Sequence, residues 1–383
     1  MQSRKYLRFF VSLLAFAMLV LLFPARVHAD GGAPNLAYIA GTAHGISVID
    51  IGRRQVTGAV PIASDPHTIL LSADGRALYV TQPQSGSVVV IATKTKQTVC
   101  SVHLSGHPTL LTLDPGTNLL YVAANDAPGV SALDPTNCAI RQVLQTRGPV
   151  YGLAVAVVGT GIAGGNGNQI WAAENDALAV FDSSGKALAS IPVQGSPQYL
   201  CIPPGTIVYI TTRQGTVLAV DLKSHQVVSS LLSGGIFGPM DYDAITGEVY
   251  VPDLRHNLLA VLAPLNSAAS IPREPGHIMR LPASPQSIAI TSDGQLGFVA
   301  LGDGSVAMLD IPGRQFVTTF HVGGTPRFVV TGLYPSPLSL TPQQASVLSV
   351  IVNSSHYIAA GAIILLTILL VWRERRLRAK RPA

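Results

Sequence analysis

Short apolar runs separated by Gly, Pro and Asp turns fill the middle of this 383-residue chain, from about residue 35 to residue 331. Seven of these runs contain an aromatic residue at a recurring place, and successive aromatics are 41, 42, 50, 38, 41 and 48 residues apart. The seven aromatics are Tyr38, Tyr79, Tyr121, Trp171, Tyr209, Tyr250 and Phe298. Internal periods of this length are typical of repeat proteins in which each unit supplies several short strands.

Each repeat orders its runs in the same way. The run after the aromatic one often closes on an acid, at Asp50, Asp134, Asp182, Asp221 and Asp310. A β-branched third run follows, and the next turn ends in proline, at Pro66, Pro108, Pro149, Pro197, Pro239, Pro285 and Pro326. A fourth run leads into a turn such as Asp74-Gly75, which is a strong hairpin signal. We interpret the periodic aspartates as turn formers.

Four strands in each of seven repeats predict an all-β fold, a seven-bladed β-propeller of four-stranded blades. A single sheet of this kind cannot bury its own apolar faces, so neighbouring blades must pack around an axis. The repeat region begins in the second strand of a blade and ends after a first strand. We therefore expect residues 328–331 to pair beside residues 35–40 and to complete the first blade from both ends, which removes an exposed sheet edge.

These phrases resemble the YVTN-type β-propeller repeat family, whose repeat runs Gly-x-Pro, an apolar strand, Asp-Gly, Tyr-Val-Thr-Asn and a Val-Ile-Asp strand. The best matches are residues 66–91, 108–134 and 285–310. The resemblance implies the propeller fold, whereas propellers of this kind host lactonases, reductases, dehydrogenases and adhesion or scaffolding modules. The chain departs from the pattern at a Gly-rich insertion in the fourth blade and at residues 264–280.

The N-terminal segment, residues 1–29, has a basic start, a long apolar run and small residues before Asp30. This pattern predicts a secretory signal peptide cleaved after Ala29, with an uncleaved anchor as the alternative. The propeller is expected to occupy residues 30–331, followed by a Pro-containing stalk at residues 332–352.

Residues 353–372 are long and apolar enough to predict a single transmembrane helix, and a basic tail follows at residues 373–383. Clustered Arg and Lys residues belong on the cytoplasmic side of a membrane. The sequence therefore predicts a single-pass protein of the cell membrane, with the propeller on the extracytoplasmic side and a cytoplasmic C-terminus.

The net charge of +5 arises at the two ends of the chain. Four of the 25 basic residues precede Asp30, and the tail holds six more with one acid, Glu374. The remaining segment has 15 basic residues against 19 acidic ones, a net charge of −4. A nucleic-acid partner requires a clustered basic surface, so we expect none.

The three cysteines are Cys100, Cys138 and Cys201. Cys201 falls in an inner strand and is expected to be a buried, unpaired side chain. Cys100 and Cys138 fall at the outer strands of adjacent blades, where a disulfide is geometrically feasible but not required. The sequence has no Cys-x-x-Cys-His motif, which argues against an electron-transfer propeller with covalent haem. No cofactor is predicted.

Candidate binding residues follow from the fold, because the residue after each turn proline should ring one mouth of the axial channel. Turns between second and third strands share that face. The predicted ligand-binding face comprises His67, Thr109, Gln198, Met240, Gln286, Arg327, Arg213, Arg255 and His256. No catalytic residue or metal ligand is assigned with them. A calcium site on this face would draw on Asp126, Glu174, Asp176 and Asp303, although such acids usually serve their own turns.

We therefore expect a binding or scaffolding module for an extracellular or envelope protein or glycan. The alternative is a lactonase-like hydrolase or isomerase, in a calcium-assisted form if the acids bind metal. Arg327 would then clamp a substrate carboxylate, and His67 would act as acid or base.

Overall fold

A computed structural model of the chain describes residues 36–62, 65–157, 167–265 and 275–332. The described residues form 28 β-strands and one short 3₁₀ helix at Pro83–Ser85. Within these ranges no helix is long and apolar enough to cross a membrane. The predicted signal peptide, the stalk beyond Gly332, the transmembrane helix and the basic tail lie outside the described residues.

The strands form seven four-stranded antiparallel sheets, which confirms the predicted seven-bladed propeller. From innermost to outermost strand, blade one comprises β28 (Phe328–Thr331), β1 (Leu36–Thr42), β2 (Gly45–Asp50) and β3 (Gln55–Val60). Blade two comprises β4 (Ile69–Leu71), β5 (Ala77–Gln82), β6 (Ser87–Ala92) and β7 (Thr98–His103). Blade three comprises β8 (Pro108–Asp114), β9 (Leu119–Ala124), β10 (Pro128–Leu133) and β11 (Ile140–Pro149). Blades four and five are β12 (Gly152–Ala156), β13 (Gln169–Ala173), β14 (Ala177–Asp182) and β15 (Ala187–Pro192); β16 (Pro197–Cys201), β17 (Ile207–Thr212), β18 (Thr216–Asp221) and β19 (Val227–Ser233). Blades six and seven are β20 (Asp241–Tyr242), β21 (Val249–Asp253), β22 (Leu258–Leu262) and β23 (His277–Arg280); β24 (Pro285–Ile290), β25 (Leu296–Leu301), β26 (Ser305–Asp310) and β27 (Gln315–His321).

The first blade is completed by both ends of the repeat region, as the sequence predicts. Strand β28 pairs antiparallel with β1, with Ala37 opposite Thr331 and Ala40 opposite Phe328. The Gly332 N–H also points to the Leu36 carbonyl oxygen, at 3.4 Å. Because both residues lie on the face where inner strands end, the propeller begins and ends on the face opposite the channel mouth.

The hydrophobic core lies between blades and is built on the seven repeated aromatics, all of which are at most 5% exposed. One cluster joins Tyr38 and Val330 of the first blade to Ile69 and Val80 of the second. Middle strands such as β13 are buried along their whole length, whereas the outer strand β15 is mostly exposed and buries only Ile191. This difference arises because middle strands are covered on both faces by neighbouring blades.

The aspartates that close the third strands hold the following turns, as predicted. The Asp50 carboxylate accepts the Arg53 N–H at 2.8 Å, and Asp221 accepts the Ser224 N–H at 2.7 Å. Such Asx turns tie the backbone where the chain reverses. The Ser184 hydroxyl also donates to Asp182 and helps to lower the pKa of that carboxyl.

A disulfide joins Cys100 of β7 to Cys138, in the turn between β10 and β11, with a Cα–Cα distance of 5.8 Å. It links the second blade to the third, a pairing that the sequence left open. Cys201 on β16 is a buried free cysteine, as expected, and burial raises the pKa of its thiol.

Candidate functional site

An axial cavity of about 710 Å³ is lined by the inner strands of all seven blades, from the mouth where these strands begin to the turns where they end. The cavity is lined by seven of the nine predicted binding residues, namely His67, Thr109, Gln198, Arg213, Met240, Gln286 and Arg327. They come from six different blades, so the fold gathers residues that lie up to 260 positions apart in the chain. The cavity is large enough for a small-molecule ligand.

Local backbone irregularities accompany several of these positions. The pairing of the inner strand shifts register directly after the turn proline in β8, β16 and β24, at Thr109, Gln198 and Gln286. Each shift corresponds to one extra residue in the inner strand, a β-bulge, which changes the direction of a side chain at the rim of a sheet. In the fourth blade the pairing of β12 is regular from Gly152 onward. There the ring residue expected from spacing, Val150, is fully buried, and Tyr151 lines the cavity instead.

His67 is held at the mouth by neighbouring blades. Its Nδ1 lies 3.1 Å from the Thr68 hydroxyl, which donates to the Thr109 carbonyl oxygen of the next blade at 2.6 Å. Burial lowers the pKa of His67, and the nearby Arg327 guanidinium lowers it further. The imidazole is therefore neutral at physiological pH and able to accept a proton.

Arg327 lies beside His67 and forms an ion pair with Asp65, with 3.4 Å between Nη2 and Oδ2. Both side chains are more than one third exposed, so this contact contributes little to stability and serves mainly to orient the guanidinium. Arg213 lies across the mouth, and its guanidinium carbon is 3.8 Å from the centre of the Tyr151 ring. This cation–π contact joins the fifth blade to the fourth.

Deeper in the cavity, Asp241 is a buried acid that spacing alone did not single out. Its Oδ2 accepts the Ile290 N–H of the neighbouring inner strand at 2.8 Å. Burial raises the pKa of Asp241 to about 7, and the pKa of adjacent Tyr242 is also raised by burial. Cys201 lines the same part of the wall. The available sequence signal was an ionisable residue directly after the ring position Met240.

The other two predicted residues, Arg255 and His256, do not line the cavity. They lie in the turn between β21 and β22, where His256 Nδ1 is 2.7 Å from Asp253 Oδ2 and Arg255 Nη1 donates to the Gly234 carbonyl oxygen at 3.0 Å.

Three of the four acids that a calcium site would use accept protein hydrogen bonds, two from neighbouring segments and one within its own turn. Asp126 accepts hydrogen bonds from the His107 backbone and imidazole, Glu174 accepts the Arg147 N–H at 2.8 Å, and Asp303 accepts the Ser305 N–H at 3.1 Å. Among the residues that the structure describes, no group of three or more His, Cys, Asp or Glu side chains is placed to hold a metal ion.

No family model and no curated protein sequence matches this chain. Solved structures do resemble it. Pseudomonas aeruginosa periplasmic gluconolactonase PpgL is 18% identical, with 78% of this chain and 99% of that chain covered and a TM-score of 0.63. Dihydro-heme d1 dehydrogenase NirN in complex with DHE is 16% identical over 80% of this chain and 77% of that chain, with a TM-score of 0.56.

A functionally unknown protein from Desulfotomaculum acetoxidans is 11% identical, with 78% of this chain and 99% of that chain covered and a TM-score of 0.65. At these identities the likenesses show a shared propeller fold and nothing finer.

Proposed function

We propose that this chain is a membrane-anchored extracytoplasmic β-propeller of the YVTN repeat type. In this proposal residues 353–372 span the membrane and the mature propeller acts as a binding or scaffolding module. Its partner is an extracellular or envelope protein or glycan that meets the mouth of the channel.

The observation that carries the proposal is the position of the propeller's ends. Leu36 and Gly332 are neighbours on the face opposite His67 and Arg327. A C-terminal anchor attached through a short stalk leaves from that far face. The mouth, with its ring of polar and cationic side chains, then points away from the bilayer toward extracellular partners.

Site-specific photocrosslinking tests this proposal in the full chain, expressed in membranes of the organism of origin. A photoreactive p-benzoylphenylalanine replaces exposed Asn125 at the mouth, and in a matched variant it replaces exposed Lys223 on the far face. We expect discrete, ultraviolet-dependent adducts from position 125 and none from position 223. Equal labelling from both positions, or none from position 125, would contradict the proposal.

A lactonase-like activity is the second candidate, favoured by the neutral imidazole of His67 beside Arg327 in an open cavity. A proton acceptor next to a carboxylate clamp suits the ring opening of a small carboxylated lactone. The assay compares lactone hydrolysis by the full chain and by His67→Gln, each with chelator and with added Ca²⁺. Turnover that is lost in His67→Gln would establish the enzyme, and equal background rates would leave the binding module.

A further inference from the structure

The wall of the axial cavity below its polar mouth is mainly apolar, although Thr112, Asp241 and Tyr242 also line it. Inner strands β8, β12, β16 and β28 present side chains that are only partly buried although they carry no polar group, among them Leu110, Leu111, Val155, Leu200 and Phe328. From Thr109 to Leu113 the wall extends about 13 Å, at the usual rise of a strand. Each of these side chains packs on one side against a core cluster between blades, and its remaining accessible surface lines the cavity. An apolar occupant would gain free energy by covering that remaining surface.

The far end of the cavity is apolar as well. Pro115, Val157, Pro204 and Leu222 line it, and the Val157 side chain is 57% exposed. The cavity therefore has a cationic end and an apolar end, which is the polarity of an amphipathic ligand rather than of a sugar or a metal ion.

Arginines supply the charge among the side chains that line the mouth, and the Asp65 carboxylate pairs with one of them, Arg327, at 3.4 Å. Among the described residues that line the cavity, the arginines are Arg213 and Arg327 and the sole carboxyl group is that of Asp241. Arg213 has no carboxylate within ion-pair distance in the part of the chain that the structure describes, and Tyr151 covers one face of its guanidinium. Its N–H groups are left to form the paired hydrogen bonds that guanidinium makes with carboxylate or phosphate.

Burial reduces the negative charge that the buried acid presents to an anionic ligand. Asp241 is only 7% exposed, and its pKa is raised to about 7, mainly by burial, with a smaller contribution from nearby Asp243. Below neutral pH the carboxyl group is largely protonated, so the apolar wall around Cys201 and Tyr242 carries no full negative charge.

We propose that the channel binds a ligand with one anionic head group and an apolar body. The head group lies between Arg213 and Arg327, and the body extends along Leu111 and Leu200. A cation would meet two guanidinium groups at the entrance, and a wholly polar anion would leave the wall uncovered. The inference names a ligand class for the mouth and in that respect rests on the proposed function.

A homologous series of ligands measures the two halves of the site separately. The full chain in phosphatidylcholine nanodiscs is titrated calorimetrically with n-alkyl carboxylates from butanoate to decanoate, and empty nanodiscs provide the background. We expect Kd to fall about threefold to fourfold for each added methylene, because each buried CH₂ contributes a constant increment. A series in which affinity does not depend on length, or does not rise above background, would overturn the proposal.

Charge variants test the head-group end. In Arg213→Gln with Arg327→Gln, we expect every carboxylate to bind about tenfold more weakly while the increment per methylene is unchanged. Lys94→Gln with Lys223→Gln removes two exposed cations on the far face and serves as the matched control, with no expected change. Unchanged binding in the arginine variant, or equal binding of n-alkyl trimethylammonium ions, would overturn the proposal.

Phosphatidylglycerol nanodiscs distinguish a membrane lipid from a free carboxylate. Because the proposed orientation points the mouth away from the bilayer, we expect no change. A rise in the apparent Kd of decanoate in the wild type and not in the arginine variant would show that lipid head groups reach the mouth, and it would contradict that orientation. The absence of such a shift would identify a soluble ligand. Either result agrees with a ligand that has an anionic head group and an apolar body. Crosslinks at position 125 together with no binding of the alkyl series would support the proposed function and contradict the ligand class inferred here.

Discussion

Three aspartates at different places in the propeller show how position changes the chemistry of one residue type. Asp50 and Asp221 lie in exposed turns and accept backbone N–H groups there. Asp241 also accepts a backbone N–H, but it does so between two inner strands where water is excluded. Hydrogen bonds favour the charged form and burial opposes it. Burial prevails at Asp241, whose pKa is raised to about 7.

This raised pKa predicts a pH-dependent stability. An unfolded aspartate ionises near pH 3.8, whereas folded Asp241 holds its proton up to about pH 7, so the native state binds the extra proton between these values. Stability from this group is therefore fully present below the unfolded pKa and falls as the pH rises through about 7. Asp241→Asn should show a gain in unfolding free energy over wild type that is larger at pH 8 than at pH 5, by about 2 kcal/mol.

Denaturant unfolding of the full chain at both pH values measures this difference. Asp134→Asn is the control, since hydrogen bonding to Arg141 lowers the pKa of Asp134 to about 2 and both of its states are ionised above pH 5. An Asp241→Asn gain that is equal at the two pH values would contradict the assignment.

At the scale of elements, one inner strand packs closely on the next at Gly152, where β12 begins. A Cβ atom placed there would lie 1.6 Å from the Gln198 carbonyl oxygen of the fifth blade. No side chain rearrangement relieves a contact with backbone, so the glycine is required by the approach of β16 rather than by its own φ angle. This close approach also holds the wall of the cavity at its fourth and fifth blades.

Gly152→Ala should consequently destabilise the protein by more than about 2 kcal/mol. Gly148→Ala is the matched control in the preceding strand, because a Cβ atom at that position meets nothing within 4 Å. Thermal unfolding monitored by circular dichroism compares the two variants. Equal melting temperatures would show that the blades can separate at this point without cost.

Across the whole molecule, the fold depends on pairing between residues nearly 300 positions apart. Val330 lies opposite Tyr38 and is 4% exposed within a core shared by the first two blades. Loss of this pairing would expose the edges of β1 and leave the ring open.

Val330→Asp should therefore lower the unfolding free energy by several kcal/mol, of the order expected for an unpaired buried charge. Val317→Asp on the outer strand β27, where the side chain is 37% exposed, should change it by less than about 0.5 kcal/mol. Urea titrations of both variants give the comparison. A small effect at position 330 would mean that the ring holds without its closing strand.

The sequence predicted what repetition encodes and missed what depends on local register. Aromatic and proline spacing was enough to predict the seven blades, the closure by residues 328–331 and most of the channel mouth. In the fourth blade Tyr151, not Val150, lines the cavity, because the inner strand there begins with a regular pairing. No residue pattern in the sequence predicts which inner strands begin with an irregular pairing. The burial of Asp241 was not predicted for a related reason, because it arises from a two-residue strand packed beside β24.

The closing strand also determines the order in which the propeller can be finished. Strands β1 to β3 are the first to be synthesised, yet their blade lacks its innermost strand until Thr331 has been made. Until then β1 presents an unpaired edge, which is a known hazard for wrong pairing between chains. The earliest blade is thus the last to mature, and a chain interrupted before residue 328 carries six complete blades and one that is open to a foreign strand.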